Sequence, residues 1–427
     1  MSNKKGLFAL SPLFVFAAFY LVSSIAADDF YKVPLTVAFM FASIYAIAIS
    51  GGFPLAKRVA MYSKGAGTDN LILMLWIFVM AGSFAQAAKD IGCVDATVNT
   101  ILHALPDGMI LPGLFLASCV ISLSIGTSVG TIVALTPIAV GIAGTTGGQV
   151  PLFTAVVVGG SFFGDNLSFI SDTTIAATST QGCNMRDKFR VNSFIVIPVA
   201  VIVLAIYGFV GSDIQAPSHI PPIDLVKFIP YLLVLLTALL GMNVMAVLTI
   251  GILSTGLIGF CTGSMDFYGW LGSMGNGIMS MGELIIITMM AGGLLEMIKA
   301  NGGIDYLIQK MTSHVNSKKG AELSVSALVC FVNICTANNT VAILTVGGIV
   351  KEIGDRYGLD NRKCASILDT VSCCIQGLLP YGAQLLMAAG LAAVSPIEFL
   401  PYLYYPVGIG FAVILSVIFR YPQRYST

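Results

Sequence analysis

Apolar residues along this chain come in runs of about 20, the length of helix that crosses a bilayer. They do not alternate as in a half-buried strand or form the one-sided stripe of a soluble helix. The pattern predicts full spans near residues 7–26, 33–51, 70–88, 191–210, 224–240, 244–262, 281–298 and 399–419. Two more runs, 150–181 and 363–393, are long enough to cross but carry polar residues in the middle. Two others, about 109–144 and 321–350, read as helix, polar tip, helix, which is the pattern of a re-entrant hairpin. Irregular backbone at membrane depth needs protein or a watery cavity around it. The expected fold is an all-α polytopic membrane protein with about ten transmembrane helices.

Composition agrees with that pattern. The 427 residues are 56% hydrophobic and 10% charged, with a mean hydropathy of +0.90, whereas soluble domains carry about 25% charged residues. The formal net charge is zero, so nothing argues for a nucleic-acid partner. With the N-terminus inside and ten crossings, all but three of the 21 Lys and Arg fall in inner connections, Arg186, Lys188, Arg190, Arg362 and Lys363 among them. Only Lys32, Lys89 and Lys227 fall outside. Positive charge on the cytoplasmic side predicts both termini inside, in a cytoplasmic (inner) membrane. The nine cysteines form no C-x-x-C pair, and His103, His219 and His314 sit in polar connections, so neither type points to a metal centre.

The two halves align. AGSFAQAAKDIGCVD (81–95) lies over AGGLLEMIKANGGID (291–305), and SIGTSVGTIVALT (124–136) over NICTANNTVAILT (333–345), which pairs Thr127 with Thr336 and Thr131 with Thr340. Each half holds an odd number of crossings, so the second copy enters from the opposite side. The expected organisation is two inverted repeats, 1–211 and 224–427, joined by an outside linker at 212–223, each with a hairpin and a broken helix. Secondary transporters are often built this way, with the site at the bilayer midplane between the copies.

The polar interruptions are then the candidate site. The first hairpin tip, GTSVGT (126–131), offers Thr127, Ser128 and Thr131. The second, CTANNT (335–340), offers Thr336, Asn338, Asn339 and Thr340. The first broken helix, GDNLSFISDTT (164–174), carries Asp165, Asn166, Ser168, Ser171, Asp172 and Thr173, and the second, beginning at Asp369, carries the best acid of the other half. A carboxylate at the bilayer centre costs at least about 2.5–3.5 kcal/mol, so two in one apolar stretch call for a function. A hard cation takes carboxylate, hydroxyl and carbonyl oxygens, and a carboxylate that binds either H+ or Na+ is the simplest exchanger. Asp165, Asp172, Thr127 and Ser128 are the expected Na+ ligands. Asp172 also suits the first turn of the second half-helix.

GDNLSFISDTT, following the GTSVGT tip, resembles the signature of the NhaC-type sodium/proton antiporter family, within the larger superfamily of inverted-repeat ion transporters, and GMNVM (241–245) is similar to another of its segments. The resemblance runs through nearly the whole chain in segment order. It implies a Na+-linked secondary carrier that exchanges Na+ for H+ without a cofactor, with Asp165, Asn166, Ser168, Ser171, Asp172 and Thr173 as the matching motif. The family pattern often has Pro after the first Ser, where this chain has Phe169.

A second reading is a carrier of a small organic anion or amino acid linked to Na+ or H+, because half-helix N-termini can hold a carboxylate without an arginine. GTSVG also fits G-x-S-x-G, but no strand–turn–helix surrounds it and no histidine falls in a span, so a hydrolase is not expected. The expected partners are Na+, H+ and the lipid bilayer, and a homodimer is compatible with the sequence.

Overall fold

The computed structural model describes residues 3–26, 34–104, 106, 108–168, 171–214, 221–240, 242–312 and 317–425. Lys32, Phe169, His219, Gly241 and His314 lie outside them. Among the described residues there is no strand. The first half contains α1 (Asn3–Ala26), α2 (Leu35–Ile49), α3 (Leu55–Ala66), α4 (Asp69–Asp90), α5 (Cys93–Ala104), α6 (Ile110–Ile125), α7 (Ser128–Thr146), α8 (Val150–Leu167), α9 (Asp172–Gln181) and α10 (Met185–Val210). The second contains α11 (Leu225–Leu239), α12 (Val244–Thr262), α13 (Phe267–Ser280), α14 (Gly282–Ala300), α15 (Gly303–Thr312), α16 (Lys318–Thr336), α17 (Asn339–Tyr357), α18 (Asn361–Gln376), α19 (Ala383–Ala392), α20 (Pro396–Phe399) and α21 (Tyr404–Ile418).

The molecule is an all-α polytopic membrane protein. Among the described residues, seven helical segments are long and apolar enough to cross a bilayer, or eight if the bent pair Ala383–Ala392 and Pro396–Tyr402 is one span. That is fewer than the ten read from the sequence. Five of the ten expected spans are among the seven, which also include the hairpin helices Ser128–Thr146 and Lys318–Thr336. The run at 363–393 is divided between α18 and α19. The expected spans in α1, α2, α11 and α21 hold apolar stretches of only 10–17 residues, short of the roughly 20 that a core of about 30 Å requires. Such helices are accommodated by local thinning or by packing against longer neighbours.

Two helices, α3 and α13, stand where the sequence reads as loop. Each packs across a long helix of the other half, α3 on α14 and α13 on α4. Glycine makes both crossings. A Cβ at Gly82 or Gly277 would strike the other residue's carbonyl, and the same holds for Gly65 and Gly292. The GWLGSMGNG run of α13 has poor helix propensity, so close backbone packing holds this helix.

The helices break at the four polar interruptions, between α6 and α7, α8 and α9, α16 and α17, and α18 and α19, and their caps can be matched between the halves by backbone geometry. Gly126 and Ala337 both end the first hairpin helix in the left-handed region, and Gly147 and Gly358 both end the second. Thr127 is therefore opposite Asn338, and Ser128 opposite Asn339, two positions from the pairing suggested by matching threonines. The contacts exchange in the same way. α9 packs on α17 as α19 packs on α7, and α5 packs on α11 as α15 packs on α1.

Candidate functional site

Four helix N-termini meet at one cavity of about 140 Å³. Its wall includes Ser128 at the start of α7, Asp172 at the start of α9, Asn339 at the start of α17 and Gln384 in the first turn of α19. Thr127, Asp165, Ser171, Thr173, Asn338 and Thr340 complete the polar lining, and Leu73, Met74 and Ile77 of α4 form an apolar side. Nine of the residues singled out from the sequence thus share one wall. The volume holds a few water molecules, or a cation with part of its hydration.

Asp165 is the buried acid of this cavity, at 4% exposure. It lies in the last turn of α8, which Gly160 and Gly164 allow to press against the backbone of α6 near Ser118 and Ser122. The Ser122 hydroxyl donates to the Ser161 carbonyl and locks that contact. Asp165 Oδ1 accepts the Ser128 backbone N–H at 3.0 Å. That N–H is one of the unpaired donors at the N-terminus of α7, where the dipole favours negative charge. A carboxylate has about four acceptor sites, so Asp165 retains capacity for a cation or a proton. Its own main-chain carbonyl, freed where α8 ends, accepts the hydroxyls of Thr173 at 3.1 Å and Thr174 at 3.4 Å.

Asp172 is exposed and stands at the first helical position of α9, after Ser171 as N-cap. It favours the N-terminal end of that half-helix and lines the cavity from its rim. The Ser171 and Thr173 hydroxyls are 2.9 Å apart. Across the cavity, Asn338 caps α17 by accepting the Val341 N–H, and Asn339 Oδ1 accepts the Thr340 N–H. Gln384 donates to the Ser128 hydroxyl at 3.2 Å and accepts from Gln376 at 2.8 Å. Gln376 also donates to the Ala337 carbonyl at the second tip.

Five of the expected site residues lie off this wall. Thr131 turns its hydroxyl back to the Thr127 carbonyl, and Thr336 bonds within its own tip. Ser168 donates to the Leu123 carbonyl, binding the first break to the first hairpin. The Asn166 side-chain amide donates to the Phe162 carbonyl and the Tyr405 hydroxyl. Asp369 is fully buried but paired with Lys188 at 2.8 Å. Lys188 and Lys363, read from the sequence as charges of inner connections, are in fact 1% and 0% exposed. Lys363 bonds to Ser416 and to the Tyr421 carbonyl. Lysine next to polar loop residues looks the same in sequence whether its ammonium reaches water or a buried partner.

Sequence reasoning did not assign a role to Lys188, Asn192, Gln376 or Gln384. Gln376 and Gln384 lie within the second polar break, DTVSCCIQGLLPYGAQ (369–384). Lys188 and Asn192 carried no signal, because their partners are distant in the chain. Ser128 has Gln384 and Asp165 for neighbours, and no histidine of the described residues lines the cavity.

The model of the Na+/H+ antiporter family matches residues 8–212 and 218–421. The chain is 25% identical over 404 residues to the Na(+)/H(+) antiporter NhaC of Bacillus subtilis (strain 168), covering 84% of this chain and 86% of that protein. It is 22% identical to the Malate-2H(+)/Na(+)-lactate antiporter of the same organism, over 94% of this chain and 92% of that one. The solved structure of the Alcanivorax borkumensis YdaH transporter aligns with 91% of this chain and 99% of its own, at 12% identity and a TM-score of 0.45. The family model runs along almost the whole sequence, and the chain belongs to the Na+/H+ antiporter family.

Proposed function

We propose that this protein exchanges Na+ for H+ across the cytoplasmic membrane, with Asp165 as the group that binds the two ions in competition. The observation that carries this reading is the Asp165 carboxylate. It is buried, is bonded by Ser128 at the tip of α7, and faces a cavity whose other polar lining, apart from Asp172 at the rim, is neutral hydroxyls and amides, with α4 as an apolar side. Na+ on Asp165 excludes the proton, and a proton excludes Na+, so net movement of one ion down its gradient drives the other back. Asp172 at the rim attracts cations and guides them inward.

Access from both sides follows from two inverted halves, 1–211 and 224–427, with both termini inside. Two larger cavities support this. One, of about 760 Å³, lies along α9 at Ile175, Thr178, Ser179 and Asn184. The other, of about 400 Å³, lies along α19 at Leu386, Ala389, Gly390 and Ser395. These are corresponding positions of corresponding helices, as expected of the two mouths of one pathway.

A second reading is favoured by the four converging N-termini, since helix N-termini attract anions. It is exchange of a small carboxylate with Na+ or H+, as the name of the malate/lactate relative describes for that protein. The deciding experiment uses purified protein in liposomes loaded with a pH dye. After an acid-inside gradient is imposed, NaCl should collapse it, while KCl and choline chloride should not. If no cation moves protons, and labelled lactate or malate does, the carboxylate reading replaces the first.

A further inference from the structure

Behind the break in α8/α9, apart from the cavity, Lys188 makes three contacts. Its ammonium donates to Asp369 Oδ2 at 2.8 Å, to the Asn166 main-chain carbonyl at 2.9 Å and to the Thr174 hydroxyl at 2.6 Å. An ammonium has three protons, and all three are used. The ligands are a carboxylate, a hydroxyl and the carbonyl at the C-terminal end of a half-helix. Discontinuous-helix transporters place Na+ at such C-terminal ends, and hard cations choose this set of oxygens.

The surroundings hold more acceptors than donors. Asn192 gives its amide protons to the Asn166 carbonyl and to Asp369 Oδ2. Asp369 Oδ1, Asn192 Oδ1 and Asn166 Oδ1 are buried oxygens with no hydrogen-bond partner. Buried polar atoms are nearly always paired. Two of these oxygens belong to Asp369, the partner of Lys188, and to Asn192, which bonds to the same carboxylate, so acceptors outnumber donors around this cation.

We propose that Lys188 is a tethered cation occupying a second cation site, formed by Asp369, the Asn166 carbonyl and Thr174, and that removing its side chain opens this site to Na+. The inference rests on the reading of Na+ as cargo. In the native chain the site is permanently filled, so only the Asp165 site is left to turn over.

The test is binding of radioactive sodium to the purified full-length protein. Asp165→Asn should lose the native Na+. Lys188→Ala should gain one Na+ per chain. That ion should survive in Lys188→Ala/Asp165→Asn, be displaced by methylammonium, and vanish when Asp369→Asn is added. A monodisperse Lys188→Ala/Asp165→Asn protein that binds no sodium overturns the proposal.

Loss of Lys188 leaves an unpaired buried carboxylate, which destabilises strongly. Thermal unfolding therefore gives an independent reading, because a ligand of the folded state stabilises it. In the Asp165→Asn background, where the native site is gone, NaCl should raise the melting temperature of Lys188→Ala above its value in choline chloride, and adding Asp369→Ala should make the protein melt alike in both salts. Equal melting of Lys188→Ala/Asp165→Asn in the two salts also overturns the proposal. Native protein that binds no sodium would instead remove the Asp165 assignment and leave the Lys188 comparison standing.

Discussion

The two broken helices have the same construction but different chemistry. α8 and α18 both end at a polar break, and α9 and α19 both resume with ten residues that reach a left-handed C-cap. The second helix of each hairpin begins beside its half's break. The Ser122 hydroxyl holds the Ser161 carbonyl in the first half, and at the corresponding place the Asn333 amide holds the Ser372 carbonyl in the second. Aligned by their caps, Asp165 in the first half corresponds to Gln376 in the second. The first break thus presents an ionisable carboxylate to the cavity. The second presents a neutral amide network from Gln376 through Gln384 to Ser128. At corresponding positions of a shared frame, a carboxylate in the first half stands where the second has a carboxamide, so only the first break puts a chargeable group on the cavity wall.

The largest expected effect is on that charge. Asp165→Asn should reduce Na+-driven proton movement to the level of empty liposomes while the protein remains inserted and monodisperse. Exchange at the native level in this variant would move the ion site elsewhere. The reverse change, Gln376→Glu, removes the amide protons given to the Ala337 carbonyl and to Gln384, a loss of about 1–3 kcal/mol at a buried position. It should lower the melting temperature and make the pH dependence of exchange steeper, because a second group now titrates. An unchanged pH profile would mean that the second half does not face the ions.

Competition makes an intermediate prediction. As the pH falls, the half-saturating Na+ concentration should rise while the maximal rate holds, since protons and Na+ share Asp165. A maximal rate that falls at constant half-saturation would mean separate sites. Asp172→Asn, at the exposed rim, should raise half-saturation several-fold without ending exchange, and a complete loss would promote Asp172 to the binding group.

The smaller effects concern the frame. Gly82→Ala and Gly292→Ala should each destabilise by about 1–3 kcal/mol, the usual cost of overpacking, because each places a methyl group against a carbonyl of the other half. Similar melting losses for the two would support equivalence of the crossings. Smallest is the difference between the hairpin tips. The first uses Gly126 in the left-handed region, while the second uses Ala337 at φ 50°. Gly126→Ala should cost about 1–2 kcal/mol. Ala337→Gly should be neutral to slightly stabilising, since relief of strain is offset by about 0.5–1 kcal/mol of added chain entropy. Thermal unfolding of both variants measures the difference.

The sequence alone determined the features that depend on local composition. Long apolar runs specify membrane helices because lipid requires every backbone group to be satisfied within a helix. Polar residues inside those runs, at 126–131, 164–174, 335–340 and 369–384, mark where helices stop, and the structure breaks them there. Tertiary structure decided which of these residues meet. It brought nine of the expected side chains to one cavity, left Thr131 and Thr336 to local bonds, turned Ser168 and Asn166 to the Leu123 carbonyl and the Tyr405 hydroxyl, and paired Asp369 with Lys188. It also set the true register of the halves, which rests on left-handed caps rather than on matching threonines, and it folded α3 and α13 from glycine-rich or basic segments by packing them against the opposite half. The physical reason is range. Hydropathy and helix breaking act within a few residues, whereas an ion pair such as Lys188–Asp369 or a glycine crossing such as Gly82–Gly277 joins segments far apart in the chain, through contacts with no periodicity to read.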